Sequence, residues 1–125
     1  MKIEAITPAI GAEISGVSLN NDLNDDIGDQ IYKALIKHQV VFFRDQALSP
    51  ESHLKLAKSF GEPEPPHPIY PHVDGYENIV LLKNAEDNIP NTTDWHKDLT
   101  FKANPPFASI LHGIKIPDVG GDTLW

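Results

Sequence analysis

Val40-Val41-Phe42-Phe43-Arg44-Asp45-Gln46-Ala47-Leu48-Ser49-Pro50 is the stretch on which the fold turns. Its first four residues are β-branched or aromatic and apolar on both faces, which predicts a buried strand. Ser49-Pro50 reads as a helix N-cap followed by proline at the first helical position, where the missing N–H costs nothing. Leu54, Ala57, Lys58 and Phe60 carry that helix forward, and Gly61 is expected to stop it in a left-handed C-cap. Upstream, Ile27, Ile31, Ala34 and Leu35 follow helical spacing to about His38. A strand between two helices is thus the centre of the pattern.

Residues 3–6 and 12–17 read as short strands parted by Pro8 and Gly11, and residues 20–26 as a turn rich in helix caps. Downstream, residues 78–82 read as a strand, 83–94 as a polar loop and 108–114 as another strand. Residues 117–121 turn the chain into a further strand at 122–125. The order predicts an α+β domain in which two helices brace a sheet built mostly from the later strands.

The 125 residues suffice for one domain, and 40% hydrophobic with 22% charged residues is the ordinary soluble range. A net charge of -8 and a single arginine, Arg44, argue against a nucleic-acid partner. Without cysteine there is no disulfide framework, thiolate metal site or cysteine nucleophile. The first sixteen residues carry Glu4 and Glu13 and no signal-peptide pattern, and the longest apolar run, 40–43, is far too short to span a bilayer. A cytoplasmic protein with no membrane partner is expected. Prolines cluster at 63–71 and 105–106, marking ordered loops, the usual carriers of binding residues.

Trp95-His96-Lys97-Asp98 is the sharpest chemical feature. In an extended segment alternate side chains share a side, so His96 and Asp98 would project together. With a second histidine they would make the two-histidine, one-carboxylate face that holds Fe(II) and leaves positions open. Alone, the tripeptide is a weak motif, and a plain His–Asp hydrogen bond on a loop is the commoner reading of it. His67-Pro68-Ile69-Tyr70-Pro71-His72 is a tight loop open to structural and functional readings alike, since its histidine spacing matches no helical zinc pair. His38 and His53 read as surface residues, and His112 as a histidine inside an apolar strand.

Several blocks, in order, resemble the taurine dioxygenase (TauD/TfdA) family of Fe(II)/2-oxoglutarate-dependent dioxygenases. They are residues 11–17 (GAEISGV), 38–46 (HQVVFFRDQ), 60–62 (FGE), 67–72 (HPIYPH), 95–101 (WHKDLTF) and 120–125 (GGDTLW). The resemblance spans essentially the whole chain. It implies a double-stranded β-helix, or jelly-roll, core with bracing N-terminal helices. It further implies Fe(II) held by His96, Asp98 and a distal histidine, with 2-oxoglutarate on the metal and Thr123 at its far carboxylate beside an arginine. O2 would convert 2-oxoglutarate to succinate and carbon dioxide while a substrate carbon is hydroxylated; taurine would then release sulfite. His67 and Tyr70 match the residues that meet the sulfonate, and both can donate hydrogen bonds to an oxyanion. Thr92, with Asn91 beside it, stands where the taurine enzyme has an asparagine, so a related sulfonate or sulfate ester is an alternative substrate.

Neither the distal histidine nor the clamp arginine is found: His112 and Arg44 do not match them. Residues 1–125 are therefore expected to be the N-terminal part of one dioxygenase domain, poorly active alone. Relatives of this kind are commonly oligomeric, so a homo-oligomer is an open expectation. Two other readings stand beside it: a truncated non-catalytic binding or oligomerisation module, and a zinc hydrolase using His67, His72, His96 and Asp98.

Overall fold

Alternation decides the first strands. The computed structural model describes residues 1–84 and 94–124. In β2 (Ala12–Ser15) Ala12 and Ile14 are buried, while Glu13 points away and meets Arg44 Nε at 3.4 Å. That is the period-two signature of a strand with one face on a core. β1 (Lys2–Ala5) pairs antiparallel with it, Ile3 opposite Ile14, and Ile6 N–H donates to the Gly11 carbonyl at 2.9 Å to close the connection. Gly11 is buried with φ at 91°, a conformation only glycine adopts without strain.

Helix α1 (Asp25–His38) begins where Asn24 accepts the Ile27 N–H, with Asp25 and Asp26 at its positive end and Lys37 and His38 at its negative one. It buries Gly28, Ile31 and Ala34. β3 (Val41–Phe42) then lies parallel to β2, Ala12 opposite Val41, giving a sheet of order β1-β2-β3. Because β3 is an edge, its residues are half-buried rather than enclosed on both faces as expected from their apolarity. Arg44 sits 5.6 Å from the centre of the Phe42 ring.

Helix α2 (Pro50–Lys58) starts as the sequence predicts, Ser49 accepting the Ser52 N–H at 3.2 Å. It ends before Gly61. Ser59 remains right-handed, its N–H meets the Lys55 and Leu56 carbonyls, and its hydroxyl donates to Leu56 O at 2.7 Å, so no glycine cap is required. Ile14, Val17, Leu19, Leu23, Ile31, Ala34 and Leu56 form the core, with Phe43, Leu48, Phe60 and Ile110 packed on it. Each fully buried side chain such as Ile14 or Ile31 contributes about 1.5–3 kcal/mol. Lys55 Nζ, donating to Leu23 O at 2.7 Å, ties α2 to the loop before α1.

The later half departs from expectation. β4 (His72–Val73) and β5 (Tyr76–Val80) form a separate hairpin through Asp74-Gly75, with φ at 74° on the glycine. An Asp-Gly pair is a strong hairpin signal that the strand prediction at 78–82 had not used. Residues 108–114 and 122–124 are not strands. They have strand composition, but no pairing partner among the described residues. The described sheet is accordingly built from early strands, not late ones. Within residues 94–124 the one backbone-to-backbone hydrogen bond described is Lys102 N–H to Leu99 O at 3.1 Å.

Candidate functional site

His96 and Asp98 come together, though not by strand alternation. The chain bends at Asp94 and turns at residues 98–101, with Leu99 at φ 52°. His96 Nε2 lies 3.4 Å from Asp98 Oδ1, and both side chains are exposed. His96 Nδ1 is 2.7 Å from the Asp94 carbonyl. A carbonyl only accepts, so Nδ1 donates to it and Nε2 is the ring nitrogen that faces the carboxylate. An imidazole oriented at Nδ1 by a backbone carbonyl, with a carboxylate beside its Nε2, has the arrangement that a metal-binding histidine uses. These residues fit two corners of an Fe(II) site. Among the described residues no group of three or more His, Cys, Asp or Glu gathers as a metal site, so the four-residue zinc arrangement does not form there.

The second constellation is the loop before β4. His67 Nδ1 accepts both the Ile69 and Tyr70 N–H groups, each at 3.2 Å, and the His67 and Tyr70 rings lie 4.6 Å apart at 38°. His72, at the start of β4, is half-buried and its Nε2 meets the His67 carbonyl at 3.0 Å. The proline-rich loop is thus closed on itself by its two histidines.

Glu64 links these parts. Its carbonyl accepts from Asn78 Nδ2 of β5 at 2.8 Å, and its carboxylate pairs with Lys102, just beyond the turn that follows Asp98. Neither Glu64 nor the closing role of His72 was read from the sequence; a lone acid among prolines carries no periodic signal. Thr123 is exposed and makes no hydrogen bond to His96, Asp98, His67 or Tyr70 among the described residues. Thr92 and Asn91 lie outside the described residues.

Two other histidines pair elsewhere. His53, on α2, bonds the Ile110 carbonyl through Nε2 at 3.2 Å and meets the His112 ring edge-on at 6.5 Å. It is half-buried, not a surface residue, and His112 is half-buried outside any strand. Burial pushes the His53 pKa below its ordinary 6.5; the Ile110 contact opposes this and His112 adds to it.

The chain has relatives among known proteins. The chain is 40% identical to an alpha-ketoglutarate-dependent sulfate ester dioxygenase of Pseudomonas putida, over all of this chain and 41% of that protein. It is also 40% identical to an alkylsulfatase of Acinetobacter baylyi, over all of this chain and 39% of the relative. A taurine dioxygenase from Burkholderia xenovorans superposes with a TM-score of 0.56 at 41% identity, over 61% of this chain and 27% of that structure. The chain therefore spans about two fifths of the length of the curated relatives it matches. Residues 2–125 match the family pattern of the taurine catabolism dioxygenases, and the chain belongs to the Taurine catabolism dioxygenase TauD, TfdA family.

Proposed function

We propose that residues 1–125 are the N-terminal part of an Fe(II)- and 2-oxoglutarate-dependent dioxygenase domain with a jelly-roll core, acting on a small organic sulfonate such as taurine. The observation that carries this is the His96 Nε2–Asp98 Oδ1 pair, 3.4 Å apart with Nδ1 turned to a backbone carbonyl. His96 and Asp98 would hold the iron, and Thr123 would meet the far carboxylate of 2-oxoglutarate. Bound iron would supply oxidation of a substrate C–H bond by O2, coupled to conversion of 2-oxoglutarate to succinate and carbon dioxide. The chain's own part is to orient: the Asp94 carbonyl sets the His96 ring, and Glu64 joins its turn to the hairpin. His67 and Tyr70 would donate to the sulfonate oxygens, and Thr92 would lie toward the amine end.

A sulfate ester is the second reading, favoured by the names of the relatives in Pseudomonas putida and Acinetobacter baylyi. Both substrates offer a tetrahedral sulfur anion to the same donors and differ at the carbon side. The test is succinate formation, in protein from the whole reading frame with Fe(II), O2 and 2-oxoglutarate, driven by taurine or by a linear alkyl sulfate. Sulfite release with taurine supports the first reading; turnover with the alkyl sulfate alone moves the assignment to the ester. Turnover with neither, at intact iron binding, removes both.

A further inference from the structure

We propose that His72 and the turn amides of Ile69 and Tyr70 lock His67 in the Nε2–H tautomer, making His72 a positioning residue for an anionic substrate. The inference deepens the substrate reading above and rests on it for the identity of the ligand. A neutral imidazole has one donor nitrogen and one acceptor nitrogen. Nδ1 of His67 receives two backbone N–H groups at 3.2 Å, so it is the acceptor and the proton resides on Nε2. No hydrogen bond to His67 Nε2 is formed among the described residues, which leaves that N–H able to donate to an anion oxygen. The Tyr70 ring is tilted against the imidazole, with ring centres 4.6 Å apart at 38°.

The lock depends on the loop holding its turn, and His72 supplies the contact that closes it. Its Nε2–H donates to the His67 carbonyl at 3.0 Å across five residues. His72 itself is anchored in β4, paired with Val80 at an irregular register. The loop is tied to the hairpin at either end, Glu64 O accepting from Asn78 Nδ2 and Pro71 O from Leu81 N–H, and the His72 contact is the one made to the His67 carbonyl itself. Without that contact the Nδ1–H tautomer would become accessible to His67, and it would point a bare lone pair at an anion. A buried or bound anion facing an acceptor is repelled rather than held, and one lost charge-assisted hydrogen bond is of the size that costs about tenfold in affinity.

The experiment is long-range 15N–1H correlation of the histidine rings in protein from the whole reading frame, labelled at histidine, in the parent, His72→Ala and His72→Gln forms. The Gln amide can donate to the same carbonyl. The parent is expected to show His67 as Nε2–H, His72→Ala a mixture of tautomers, and His72→Gln the parent pattern. Titration with taurine should move the His67 Nε2 signal in the parent and weaken about tenfold in His72→Ala, with rescue by Gln. An Nδ1–H tautomer in the parent, or an unchanged tautomer in a folded His72→Ala, would overturn the proposal. An Nε2–H parent that loses it in His72→Ala, yet responds to neither taurine nor an alkyl sulfate, upholds the lock and sinks the sulfonate reading instead.

Discussion

Two histidines in this chain use Nδ1 in opposite ways, and each is oriented by backbone rather than by a side-chain partner. His96 donates from Nδ1 to the Asp94 carbonyl, which turns Nε2 toward the Asp98 carboxylate; His67 takes two N–H groups at Nδ1, leaving a donor for an anion. Residue types and spacing made both visible as candidates, but the tautomers were not legible, because they depend on turns that no alternation rule describes. The carboxylate beside His96 leads to the first expectation at this scale. Asp98→Ala should abolish Fe(II)-dependent 2-oxoglutarate turnover and lower iron affinity by at least the roughly tenfold that loss of even an outer-shell partner costs. Succinate assay and metal titration check it, and retained turnover would take Asp98 out of the ligand set. His53 leads to a second. Its pKa is lowered in the folded state, chiefly by burial. The unfolded chain therefore binds the proton more readily, so the contribution of neutral His53 is complete above about pH 6.5 and is lost as pH falls through the depressed folded value. Urea unfolding followed from pH 8 to pH 5 should show a decline that His53→Gln reduces; identical pH profiles would mean that His53 is not the group responsible.

At the scale of elements, local chemistry was legible wherever it was self-contained. Asn24 and Ser49 cap their helices as such residues should, and α1 ends at His38 where its apolar spacing ends. The Ser49→Ala variant should lose the acceptor for the Ser52 N–H and cost about 1 kcal/mol of stability, read as a lower denaturation midpoint at unchanged slope. A change under a few tenths would mean that Pro50 and the neighbouring Asn20 contact hold the start of α2 unaided. Strands were harder to place, because a strand is a statement about its partner. Residues 12–15 satisfied it through β1 and β3, whereas residues 108–114 have the same composition and no partner among the described residues. The short β4 was missed for a related reason: two residues carry no period, and only the Asp-Gly turn announced the hairpin.

Across the whole molecule, packing and proposed chemistry occupy different parts of the chain. The buried core draws on residues 12–56; among the described residues beyond 94, Ile110 packs on it and Phe107 meets Tyr32 and Phe60 at its margin, whereas His96, Asp98 and Thr123 belong to a stretch with a single described backbone bond of its own. Phe101, Ile114 and Val119 in that stretch are 85%, 81% and 90% exposed. The family resemblance made the division intelligible: relatives more than twice as long share this segment. Amide exchange should reproduce it. In the 125-residue chain, amides of Ile14, Ile31 and Ala34 should exchange slowest, near the global unfolding limit, while those of 107–124 exchange close to the unprotected rate. Protein from the whole reading frame should protect residues 108–114 by at least about a hundredfold more, because strand pairing closes their amides to water and 2.8 kcal/mol or so of local stability suffices for that factor. Equal exchange in the two proteins would mean that this stretch takes no strand partner from the rest of the domain, and the jelly-roll reading would fall with it.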